Sequence, residues 1–302
     1  STYQVKGGAL YNVNENLGLF VNSGYVQKAP ILDNVIYYDG TVATDPDNEK
    51  FLHNEVGVNW GTEKVGVRVS AYDTDWKDRN LTKSVQTGQG SSGDTDIIFL
   101  TGVNQKHQGL ELETKVKPTD KIELDFIASY GNWKFDGDAD GTYQEQEYND
   151  NNQVIGVTTT EYSYALDGLY VGDMPQTSYI LGLTYKPIKG LRLQALYKTY
   201  DRNYADWSPE SREVEGDADR AQVWEAPGYS KLDLHASYKL PIKGYDIALT
   251  GHIFNALDDI FIQDAVDNSK YNGWGDKVHA PHNAEVFLGT PRYANIGVTV
   301  NF

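Results

Sequence analysis

Short and long connections alternate along the whole chain, and this constrains the fold more than any other feature. Period-2 patterning marks eleven candidate strands, over 3–11, 17–25, 51–60, 64–76, 106–117, 121–135, 177–186, 191–204, 229–240, 245–255 and 293–302. Tight connections fall at Asn12–Asn16, Gly61–Glu63, Pro118–Asp120, Pro187–Gly190 and Pro241–Gly244. Between them lie long ones at Val26–Lys50, Lys77–Gln105, Asp136–Gln176, Ala205–Gly228 and Ala256–Arg292. An up-and-down antiparallel sheet puts every second turn at the same rim, and membrane barrels keep one rim short while the other grows. A soluble sandwich also alternates apolar and polar residues, but nothing forces its long loops onto every second connection.

The alternation itself is strict. Ile122, Leu124, Phe126, Ala128 and Tyr130 share one face of their segment, while Glu123, Asp125 and Ser129 share the other. Leu110, Leu112 and Val116 alternate with Glu111, Glu113 and Lys115. Leu232, Leu234, Ala236 and Tyr238 stand against Lys231, Asp233, His235 and Ser237, and Ala294, Ile296, Val298, Val300 and Phe302 against Asn295, Gly297, Thr299 and Asn301. A helix would mix these classes on one side, because its period is 3.6. The Pro residues of Lys117-Pro118, Lys186-Pro187 and Leu240-Pro241 end strands where no ladder N–H is needed.

Charge follows the same polarity. Lys64, Lys117, Lys121, Lys189 and Lys243 sit at the tight turns, whereas no Lys or Arg occurs from Phe135 to Tyr185. The net charge of −17 argues against a nucleic-acid partner, which would require phosphate neutralisation by Lys and Arg. With 0 cysteines there is neither a disulfide nor a thiolate site. Trp60, Trp76, Tyr130, Trp133, Tyr185, Tyr204, Tyr229 and Tyr245 lie near strand ends, as interfacial girdles or as ordinary strand aromatics.

The C-terminus is more specific. Gly289-Thr290-Pro291-Arg292, followed by an alternating strand that ends in Phe302, resembles the end of TonB-dependent outer-membrane receptors. Asn295, Gly297, Val300 and Phe302 fit the assembly signal read by the barrel-assembly machinery. Asn255-Ala256-Leu257-Asp258-Asp259-Ile260-Phe261 is similar to those receptors' Asn-Leu-Phe-Asp-x-x-Tyr stretch, with Leu257 and Phe261 as apolar departures. Gly168–Pro175 and Trp224–Ser230 look like segments of members with iron-complex substrates. The resemblance implies a barrel of about 22 strands around an N-terminal plug, in a Gram-negative outer membrane and driven through TonB. Residues 1–302 carry neither a recognisable plug nor a TonB box, and eleven strands is an odd number. Single-chain bacterial barrels have an even count. The chain is therefore expected to be the C-terminal half of a receptor barrel.

Asp136, Asp138, Asp140, Gly141 and Glu147 match the D-x-D-x-D-G-x5-E spacing of a calcium loop, with the Thr142 carbonyl at the seventh position. The alternative is a solvated acidic loop, since a strand rather than a helix leads into it. Apart from this calcium ion no cofactor is expected. Arg202, Tyr204, Trp207, Trp224 and Trp274 are candidate ligand contacts at the mouth, or else anchors for the loops. His279 and His282 could reach a metal or an iron complex or be merely solvated, while His235 and His252 fall on polar faces toward a lumen. Glu111 and Glu113 read as a wet strand face rather than a glycosidase pair. No nucleophile elbow or phosphate loop occurs, so no enzyme is expected. The leading function is TonB-energised import of a ferric siderophore or other iron complex. A porin-like passive channel and a soluble carbohydrate-binding sandwich are the alternatives.

Overall fold

A computed structural model describes residues 2–36, 40, 42, 47–86, 95–151, 153–214, 219–269, 272 and 278–301. The strands run β1 (Gln4–Asn14), β2 (Leu17–Lys28), β3 (Glu49–Gly61), β4 (Val65–Gln86), β5 (Thr95–Thr119) and β6 (Ile122–Phe135). There follow β7 (Ala139–Tyr148), β8 (Val154–Tyr164), β9 (Thr177–Tyr185), β10 (Leu191–Asp201), β11 (Asn203–Tyr204) and β12 (Glu225–Ala226). The last are β13 (Tyr229–Lys239), β14 (Asp246–Phe254), β15 (Ile262–Val266), β16 (Glu285–Leu288) and β17 (Tyr293–Asn301).

Eleven of these form a wall in which each pairs antiparallel with the next: β1-β2-β3-β4-β5-β6-β9-β10-β13-β14-β17. They are the eleven segments expected from the alternation. The wall is open, because β1 and β17 are both edges. At the tight rim, Gly190 and Gly244 adopt φ of 86° and 88°, a left-handed turn conformation that a side chain would strain.

The wall is inside-out relative to a soluble protein. Its outward row holds Val56, Val69, Leu110, Leu124, Leu181, Leu249 and Val298, all exposed, and Ile296 is 88% exposed. Burying one such side chain contributes about 1.5–3 kcal/mol, so this surface calls for a hydrocarbon solvent. The opposite face is polar and ion-paired. Arg68 meets Glu55 at 3.0 Å, Lys115 meets Glu123 at 3.2 Å, and Lys198 meets Asp233 at 2.7 Å.

The dry core lies beyond the wall, among the long connections. Leu100, Val103, Phe135, Tyr164, Leu166, Leu169 and Trp207 pack together there, and Trp224 joins a second cluster with Ala205, Ala226, Ala265 and Ala284. Here the structure corrects the expectation of a continuous loop over 77–105. β4 and β5 continue to Gln86 and from Thr95, past a register shift between Trp76 and Leu81. Within the expected loop 136–176, β7 and β8 form a hairpin, and β7 pairs with Ile98–Thr101 of β5. The aromatic girdle also divides. Trp60, Tyr130, Tyr185 and Tyr245 are exposed, whereas half-buried Trp76 and Trp133 lie in the polar-face register and Tyr204 enters the loop core.

Candidate functional site

The register shift in β4 builds the site. Asp78 takes a left-handed φ of 57°; its N–H donates to Asn104 Oδ1 at 3.0 Å and its carboxylate pairs with Lys50 at 2.6 Å. A bulge of this kind bends the strand and re-aims the next side chain. That side chain is Arg79, whose guanidinium lies 4.3 Å above the Trp76 ring. Among the described residues it donates no hydrogen bond to a carboxylate, although Glu49, Asp173 and Asp206 surround it.

Below Arg79 an aromatic row crosses four strands on the polar face. Phe51 and Trp76 lie 4.6 Å apart, Trp76 and His107 6.4 Å, and His107 stacks on Trp133 at 5.5 Å. Trp133 Nε1 donates to the Tyr72 hydroxyl at 2.8 Å, and His107 Nε2 is 3.1 Å from Gln105 Oε1. Glycine makes this row possible: a Cβ on Gly109 would lie 2.4 Å from the Tyr72 hydroxyl oxygen.

Opposite Arg79 the loops contribute acids. Lys83 pairs with Asp206 and stands 5.1 Å above the Trp207 ring. Asp173 has a φ of 72°. Burial, with Asp206 and Asp264 nearby, pushes its carboxyl above the ordinary range despite Lys83 and Arg79. Together these groups offer ring faces, a cation with hydrogen-bonding capacity to spare and a bordering set of acids. The ring faces can stack on a flat group, and the guanidinium can donate hydrogen bonds to its oxygens.

The sequence-predicted contacts lie elsewhere. Arg202 donates to the Gly131 carbonyl at 2.6 Å and sits 4.6 Å above the Tyr130 ring, tying a loop to the wall. Tyr204 stacks on Tyr170 at 4.1 Å, and Trp207 is only 2% exposed. Tyr204, Trp207 and Trp224 are thus buried as loop packing rather than turned to solution. Trp274 lies outside the described residues. The missed residues are Phe51, Trp76, Arg79, His107 and Trp133. Their signal was large aromatics on the polar phase of strands, which the girdle reading absorbed.

The residues of the expected calcium loop are not gathered around one point. Asp140, Thr142 and Glu147 lie along extended β7, so Asp140 and Glu147 are about 23 Å apart at 3.3 Å per residue rather than wrapped around one point. Each acid also has another partner. Asp136 pairs with Lys77, and Asp138 accepts from both Arg220 terminal nitrogens at 3.0 and 2.7 Å. Asp140 accepts from Ser163 at 2.7 Å, and Glu147 from Thr158 at 2.9 Å. The Arg220 guanidinium holds the Asp138 carboxyl below its usual range.

His279 belongs to a buried ionic cluster that joins two long connections. Its Nδ1 is 2.5 Å from Asp267 Oδ2, and its Nε2 is 2.9 Å from Asp219 Oδ2. Arg212 Nη2 lies 3.7 Å from Asp267 Oδ2, with Arg212 0% exposed and Asp267 1%. His282 is exposed and takes no part among the described residues. His235 and His252 meet at 2.8 Å on the polar face. At the C-terminus Asn295, Gly297 and Val300 lie on edge strand β17, and Phe302 lies outside the described residues.

An open antiparallel wall with an apolar exterior, a polar interior and one elaborated rim defines a sector of an outer-membrane-type β-barrel. The chain belongs to the TonB dependent receptor-like β-barrel family, whose sequence profile matches residues 2–256. Members of this family are outer-membrane proteins of Gram-negative bacteria. A variant of the ferric enterobactin receptor PfeA of Pseudomonas aeruginosa is similar, with TM-score 0.63 and 14% identity over 99% of this chain and 40% of that one. The copper transporter OprC aligns with TM-score 0.61 and 15% identity over 96% and 38%. The ferric-catecholate import receptor Fiu of E. coli K12 aligns with TM-score 0.56 and 13% identity over 98% and 34%. The chain thus spans well under half the length of these solved relatives. No curated protein matches its sequence.

Proposed function

We propose that this chain is the C-terminal part of the barrel wall of an outer-membrane receptor that imports a ferric siderophore or other iron complex. Import is energised by TonB acting through a plug domain. The observation that carries this reading is the Arg79 guanidinium on the Trp76 ring, at the head of the row Phe51, His107 and Trp133. A cation without a hydrogen-bonded carboxylate among the described residues, set against ring faces under a packed loop core, suits a bulky oxygen-rich chelate better than free diffusion of small solutes. Family membership, and the likeness to the ferric enterobactin receptor PfeA and the ferric-catecholate import receptor Fiu, support the same class. No bond-making chemistry is assigned to the chain; its ligands are the nutrient, the surrounding lipid, and the assembly machinery through Asn295, Gly297, Val300 and Phe302.

The test uses the full-length receptor with Trp76→Ala and Arg79→Ala, in cells whose surface abundance of receptor is matched to wild type. Binding of radio-iron-loaded catecholate and hydroxamate siderophores should fall at least about ten-fold for the accepted class, as expected when a desolvated cation–π seat is removed. Unchanged binding of every complex, or uptake that persists without TonB, would overturn the reading.

A further inference from the structure

We propose that His235 and His252 form a bidentate clip for a divalent transition-metal ion of the Cu(II) or Ni(II) type on the lumenal face of the wall. The inference stands apart from the import reading and uses none of the mouth residues.

The two histidines are directly opposed partners on β13 and β14, with their Nδ1 atoms 2.8 Å apart. A square-planar centre with metal–nitrogen bonds of about 2.0 Å separates neighbouring nitrogens by about 2.8 Å, and this geometry is diagnostic of Cu(II) and Ni(II). The pair already occupies that spacing without any movement of the backbone. Imidazole is a common ligand for these ions, and Cu(II) heads the affinity order.

The surroundings suit an ion held at the wall. Gln194 is the register partner of His235, and Asn295 is that of His252, so two amides flank the pair in the same cross-strand row. Phe254 closes one side, 5.4 Å from the His235 ring and 6.0 Å from that of His252, and is itself stacked on Tyr293 at 4.7 Å. The charged neighbours are Asp233, Lys198 and Arg192. Lys198 is paired with Asp233 at 2.7 Å, and Arg192 donates to Thr184 at 3.3 Å, which leaves the imidazoles the closest free bases.

Without metal, one neutral imidazole donates Nδ1–H to the lone pair of the other. Binding needs both Nδ1 lone pairs, so the donor ring must move its proton to Nε2. Two neutral rings therefore release no net proton, whereas an imidazolium must give one up.

The experiment is equilibrium dialysis and electron paramagnetic resonance with CuCl2 on the detergent-purified full-length receptor, comparing wild type, His235→Ala, His252→Ala and a His53→Ala control. Each preparation is first checked for the heat-modifiable mobility of a folded barrel. Wild type should bind one ion more tightly than either single variant by at least ten-fold. Its spectrum should carry hyperfine structure from two nitrogens. His235→Asn, a smaller polar change, supplies the same comparison if an alanine variant fails to fold. Equal binding by wild type and the His235 and His252 variants, a spectrum with a single nitrogen, or no saturable binding at pH 7.5 would overturn the assignment.

Discussion

His279→Ala should unlatch the long connections, and the magnitude follows from the geometry. Both ring nitrogens face carboxylate oxygens, at 2.5 Å from Asp267 and 2.9 Å from Asp219. A neutral imidazole has one N–H and can satisfy only one of them, so the doubly protonated ring fits the site. With that charge, His279 and Arg212 balance Asp219 and Asp267. The Asp267 hydrogen bond and charge, helped by Asp219, hold the His279 pKa above its ordinary value against burial and Arg212. The linkage sign is then fixed: the latch is fully present below about pH 6.5 and lost as pH rises through the higher folded value. The Asp219 carboxyl is held low by the Ala221 backbone N–H, His279 and Arg212, which outweigh its burial. Its contribution is present above about pH 3.9 and lost as pH falls through the lower folded value. Removing one partner from a buried pair costs about 3–5 kcal/mol, or roughly a hundred- to several-thousand-fold in the open population. Hydrogen exchange of the full-length receptor reads this directly at Ala205–Arg212 and Asp264–Ser269. At pH 6 these peptides should lose protection in His279→Ala, and wild type should lose it on titration to alkaline pH after correction for intrinsic rates. Equal protection in variant and wild type at pH 6, or wild-type protection that rises with pH, refutes the reasoning.

Three further outcomes are expected. Leu124→Arg should destabilise folding into lipid vesicles by about 2–4 kcal/mol if the residue lies near the midplane, measured as a shift in the denaturant midpoint. Gly109→Ala should cost about 1–3 kcal/mol in thermal or denaturant unfolding, because the added Cβ drives Tyr72 away from Trp133. Asp140→Ala should leave the calorimetric response to CaCl2 unchanged, since Asp140 and Glu147 do not converge; loss of a saturable calcium signal in this variant would contradict the extended β7.

The wall was legible because its solvent contrast is written at period two. Leu124 against Asp125, or Ile296 against Asn295, states a face without any knowledge of neighbours. The parts beyond the wall lack that contrast. β7 and β8 are rich in Thr, Tyr and Glu and lie half in water, so their pairing depends on docking against Ile98–Thr101 rather than on a local pattern. Sequence cannot distinguish an aromatic that lines a mouth from one that fills a loop core, so Trp207 and Trp224 read as ligand contacts or as loop anchors, and Trp76 and Trp133 as a girdle or as ordinary strand aromatics. The His279 cluster draws Arg212, Asp219 and Asp267 from up to 67 residues away, a constellation with no spacing to read. The spacing that was readable, Asp136 to Glu147, describes a loop only where the backbone curls, and β7 keeps it straight.

The central claim is that alternate side chains of the wall face hydrocarbon and water. With 0 cysteines in the sequence, single cysteines carrying a nitroxide can be placed one at a time from Glu123 to Ser129 and from Ala294 to Val300 in the full-length receptor in lipid vesicles. Collision with oxygen should peak at Leu124, Phe126, Ala128, Ile296 and Val298, and collision with a water-soluble nickel chelate at Glu123, Asp125, Asn295 and Thr299. A profile without the two-residue period, or one with these two sets exchanged, would contradict the membrane wall.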